Sequence, residues 1–151
     1  MYGEECVSLD VAKVLAEKGF NNICLLHWEE WNEGHCHALS SVTGNIHTQS
    51  NRSLKKYFEG AGTVPDEKLY AAPTRGQVMD WLLEKGISVN VFQDDDSSEP
   101  WTYEIYKVDE EGVSEECLVH HTGEYWPRKE WRQAWDKAFL MALTYVKGDE
   151  Q

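Results

Sequence analysis

The end of the chain carries the strongest constraint on its fold. In PRKEWRQAWDKAFLMALTYVKG (127–148), Trp131, Ala134, Trp135, Ala138, Ala142 and Tyr145 recur at helical spacing, and Phe139, Leu143 and Val146 widen the stripe. Pro127 suits the first helical position and Gly148 the exit. A stripe this wide marks the most buried helix of the chain, packed along a sheet.

Two more helices are expected. SLDVAKVLAEKGF (8–20) offers Ser8 as N-cap, Asp10 in the positive first turn, a staple from Val7 to Ala12, and Gly19 as the left-handed exit. APTRGQVMDWLLEKGI (72–87) places Thr74 and Gln77 at capping-box spacing and ends on Gly86. Both helices finish on Lys-Gly and turn at once into an apolar segment, which reuse of one C-cap explains without a repeat. Strands are expected at ICLLHW (23–28), HCHALSSV (35–42), ISVNVFQ (87–93), WTYEIYKV (101–108) and about VSEECLVHH (113–121). Residues 43–72 carry the weakest pattern; SLKKYF suits a helical turn and LYAA an extended segment. Short turns between strands imply antiparallel hairpins. The expected fold is therefore α+β: a single domain over 1–151, with one mainly antiparallel sheet of about five strands and three helices chiefly on one face.

A chain of 151 residues buries roughly 70% of its unfolded surface, so Cys6, Cys24, Cys36 and Cys117 are not required as staples. Their spacing is not that of a secreted scaffold, and MYGEECVSLD has neither the basic nor the apolar part of a signal peptide, so reduced thiols in a cytoplasm are expected. The longest apolar run, FLMAL (139–143), falls far short of the ~20 residues of a membrane span. With 27 acidic against 14 basic residues the net charge is −13. That disfavours direct binding to a nucleic-acid backbone, which takes Lys and Arg, and favours a basic protein partner.

The stretch YAAPTRGQVMDWLLEKGISVNV (70–91) resembles a recurring pattern in small uncharacterised proteins of gut Bacteroides-type bacteria and their mobile or prophage regions. There a helix begins at Ala-Pro-Thr, carries a Trp-Leu pair and runs into a strand, as Ala72–Thr74, Trp81, Leu82 and Ile87–Val91 do here. VSLDVAKVLAEKGF, YEIYK (103–107) and the closing helix follow the same order. The family it resembles has no assigned activity, so the resemblance supplies no catalytic residues. The histidine-rich hairpin and the strong acidity depart from the pattern.

That hairpin, HWEEWNEGHCHALSS (27–41), is the one segment with the look of chemistry. Side chains alternate along a strand, so His35 and His37 share a face and Cys36 takes the opposite, inward one. If His27 meets residue 35 or 37, three imidazoles line one face and suit catalytic zinc, with Glu29 or Glu30 as base. A register shifted by one brings His27 to Cys36 and dissolves the site. Cys36 and Cys117 read as small buried hydrophobes, and His120 and His121 as exposed or hydrogen-bonding residues at a strand end rather than ligands. The acidic runs Asp94, Asp95, Asp96 and Asp109, Glu110, Glu111 fall in turns and are candidate contacts for a basic partner. Among Trp28, Trp31 and Trp126, Trp31 is the candidate aromatic anchor. Two function classes follow: a non-enzymatic interaction protein without cofactor, or a zinc-dependent enzyme on His27, His35 and His37.

Overall fold

The computed structural model describes residues 6–24, 26–30, 36–40, 68–94, 98–120 and 122–147. The chain divides into two compact units, residues 1–78 with 148–151 and residues 79–147. The α+β class holds, but the single five-stranded sheet is corrected to two three-stranded antiparallel sheets. The added strand is Lys68–Ala72, which includes the segment LYAA that the sequence marks only as extended.

The first unit contains helix α1 (Leu9–Glu17) and strands β1 (Leu26–Glu30), β2 (Cys36–Ser40) and β3 (Lys68–Ala72), in the order β2-β1-β3. Ser8 Oγ accepts from Val11 N at 3.3 Å, as expected of an N-cap. At the other end Gly19 takes φ 89°. Its N–H bonds to Ala16 O at 3.2 Å and that of Phe20 to Leu15 O at 2.9 Å, the two bonds of a Schellman ending. Phe20 and Leu15 are both buried, so the C-cap also seals the core. The indole of Trp28 donates to Val7 O at 2.9 Å, which makes Trp28 a tie within this unit.

Helix α2 (Arg75–Glu84) opens on the reciprocal pair expected from the sequence: Thr74 N donates to Gln77 Oε1 at 2.9 Å, and Gln77 N to Thr74 Oγ1 at 3.2 Å. Gln77 Nε2 goes on to donate to Ile23 O at 3.0 Å, and Cys6 bridges to Thr74. Thr74→Ala is therefore expected to cost about 0.5–2 kcal/mol of stability. Thermal melts check this; an unchanged curve would mean that the cap is idle.

The second unit holds β4 (Ile87–Gln93), β5 (Trp101–Val108), β6 (Ser114–Val119), a 3₁₀ turn (Arg128–Glu130) and helix α3 (Trp131–Leu143). The strands form a meander, β4-β5-β6, with α3 against β4 and β5. The closing helix starts later than the sequence suggests: Pro127 accepts the Glu130 N–H of the 3₁₀ turn at 2.9 Å, and the α-helix begins at Trp131. Ala134, Ala138, Ala142, Phe139 and Leu143 make the buried stripe, the alanines allowing close approach to the sheet, while Tyr145 is exposed. Along β6 the register slips twice, so that Leu118 and Glu115 are extra residues without a direct partner in β5.

Candidate functional site

The histidine hairpin forms, with β1 as the central strand of its sheet. His27 pairs with Leu39 on one side and Ala71 on the other, and is 1% exposed. Glu29 pairs with His37, so odd positions of β1 meet odd positions of β2. His35 lies outside the described residues, as do the side chains of Cys36 and His37. Burial holds the His27 imidazole below the ordinary histidine pKa, so it stays neutral in the folded chain. Among the described residues no group of three or more His, Cys, Asp and Glu is placed to hold a metal ion.

The cysteines divide by burial. Cys24 is buried, and burial, followed by the nearby Cys6 thiol, pushes its thiol pKa up to about 12, so Cys24 is inert. Cys117 corrects the sequence expectation: it is exposed, because β6 is an edge strand whose residues 114–117 all face solvent. Opposite it on the register stands Tyr106, whose hydroxyl donates to Glu104 Oε2 at 2.6 Å. The other oxygen, Glu104 Oε1, lies 3.2 Å from His120 Nδ1. The bond to Glu104 pushes the Tyr106 phenol up to about 12, so it stays protonated as a donor. His120 is exposed at the strand end, as expected, and sits beside this carboxylate. The Glu104–Tyr106 pair at i and i+2 of one strand was the available signal for this network, and the reading of the sequence passed it over.

No protein-family model, curated protein or solved structure matches the chain.

The acidic turns differ in what the structure does with them. Asp94 is exposed and accepts from the Tyr125 hydroxyl at 3.3 Å; Asp95 and Asp96 lie outside the described residues, as does Trp31. In the β5–β6 turn, Asp109 Oδ1 accepts from Glu111 N at 2.9 Å and from Val113 N at 2.8 Å, while Gly112 takes φ 82°. Asp109 is thereby committed to the turn, and Glu110 and Glu111 project into solvent. Beside this turn, residues Leu83–Gly86 and Val108–Gly112 enclose an open groove of about 630 Å³. Its two sides are fixed by backbone: Val108 N donates to Gly86 O at 2.9 Å. Gly86 sits at φ +81°, a backbone conformation that strains any side-chain-bearing residue. No helix among the described residues is long and apolar enough to cross a membrane.

Proposed function

We propose that this chain is a non-enzymatic interaction protein, an accessory factor of mobile DNA whose acidic surface meets a basic protein partner. The observation that carries the reading is the β5–β6 turn. Asp109 locks its backbone, and Glu110 and Glu111 stand exposed beside a groove. A net charge of −13 adds long-range attraction for a cationic partner and repulsion of nucleic-acid phosphates. An acidic inhibitor or a mimic of DNA is a concrete form of such a protein.

Steering by exposed charge is screened beyond ~10 Å at 0.1 M salt. The association rate of the physiological partner should therefore fall on the order of tenfold between low and high salt. Neutralising Asp94, Asp95 and Asp96, or Glu110 and Glu111, should lower the on-rate more than it raises the off-rate. Stopped-flow kinetics across a salt series checks this. A salt-independent on-rate, or bare DNA as the partner, would overturn the proposal.

A second reading is a zinc-dependent enzyme on His27, His35 and His37; the β1–β2 register gives positions 27 and 37 the same parity, but it sets Leu39, not residue 35 or 37, opposite His27. Its test is metal analysis of the purified chain. Stoichiometric zinc that disappears on His35→Ala would establish this reading in place of the first.

A further inference from the structure

We infer that the groove between the end of α2 and the β5–β6 turn is the docking site for a short basic segment of a partner protein, one in which Lys or Arg flanks an apolar side chain. This rests on the proposed function and assigns it a place and a ligand chemistry.

Shape comes first. The groove is formed by two stiff backbone segments: Gly86 is bonded to Val108, and the turn is closed by Asp109 N to Val113 O and Gly112 N to Asp109 O, each at 2.9 Å. A site already formed loses little conformational freedom when it is filled. Next comes the apolar component. Leu83 is 44% exposed at the groove, on a helix whose Val78, Trp81 and Leu82 are buried. An apolar side chain from a ligand would cover it.

Charge then selects among ligands. The lining carries four carboxylates, on Glu84, Asp109, Glu110 and Glu111, against one cation, Lys85, whose ammonium lies 5.2 Å from the centre of the Trp81 ring. Among the described residues of the groove, Lys85, just past the last turn of α2, is the one basic residue at the negative end of that helix. An anionic ligand is repelled from both sides, and a lone small cation would leave Leu83 uncovered. A cationic segment with an apolar residue satisfies both features. Contacts to exposed carboxylates are individually weak, so the apolar contact is what distinguishes docking here from attraction to the acidic surface at large.

The test uses the full-length ¹⁵N-labelled chain titrated with the capped pentapeptide Lys-Leu-Arg-Lys-Leu while its amide resonances are followed. The expected result is saturable shifts centred on residues 83–86 and 108–112. The double change Glu110→Gln, Glu111→Gln should weaken binding about tenfold. Leu83→Ser, or serine in place of leucine in the peptide, should weaken it several-fold, with the amide spectrum otherwise unchanged. Saturable shifts elsewhere, or binding indifferent to Leu83, would overturn the groove while leaving a basic partner standing. No shift anywhere with this peptide or with polylysine would remove the underlying reading as well. Shifts of the groove amides that grow with protein concentration alone would assign the groove to a second copy of the chain and overturn the proposal.

Discussion

Phe139→Ala is expected to lower stability by about 3–5 kcal/mol. Phe139 is fully buried on the face of α3 that meets the sheet, and its ring stands 5.4 Å from that of Trp135 at a tilt of 40°. Its neighbours on the stripe, Ala138 and Ala142, are too small to close over the space that the ring would leave. The cavity therefore persists and adds to the lost transfer energy. For a domain stable by only about 5–15 kcal/mol this is a large fraction. Urea unfolding measures it, and the same truncation at exposed Tyr125 is the control, expected within about 0.5 kcal/mol of the parent. A loss under about 1 kcal/mol at Phe139 would mean that α3 does not seat on the sheet through this ring.

Acidification should produce the second large effect. Burial lowers the pKa of His27, so the folded chain holds this imidazole neutral while the unfolded chain protonates it below its ordinary value of 6.5. Below that pH the unfolded state binds the extra proton, and stability falls as pH falls. The slope contributed by one group reaches at most about 1.4 kcal/mol per pH unit. The loss begins just below 6.5 and stops once the folded state also protonates. Cys24 sets the opposite limit. Its thiol stays protonated when folded, whereas the unfolded thiol ionises around 9.0, so stability falls again as pH rises past that value. Urea midpoints between pH 5 and 10 should trace a plateau with two shoulders, and His27→Asn should flatten the acid one. If the acid shoulder survives that change, the imidazole is not its source.

The helix boundaries set by local contacts were legible in the sequence. Ser8, the Thr74–Gln77 pair, Gly19 and Gly86 act on amides within a turn of themselves, so their spacing alone reports them. Features that depend on distant pairing were not. His27 is buried because β1 lies between two strands, and one of these, β3, comes from a segment with little pattern. Cys117 sits in a run of apolar character yet is exposed, since an edge strand can have both faces wet. The start of α3 lies four residues past Pro127 because a proline opens a 3₁₀ turn as readily as an α-helix. Of the site, the acidic turn at 109–111 was evident as composition. The groove beside it was not, because it is made by a hydrogen bond between Gly86 and Val108 that no motif announces.

The irregular pairing of β6 bears on how this molecule avoids sticking to itself. A strand on the rim of a sheet is a template on which another chain can add, and such growth needs a flat row of evenly spaced amides and carbonyls. The extra residues at Leu118 and Glu115 break that row in two places within six residues, and Glu115 and Glu116 place exposed carboxylates along what remains. Stacking copies edge to edge would force like charges together on a strand that does not lie straight. Removing both Glu115 and Leu118, which restores even pairing, should leave the sheet hydrogen-bonded within itself and its edge more open to fibrous growth.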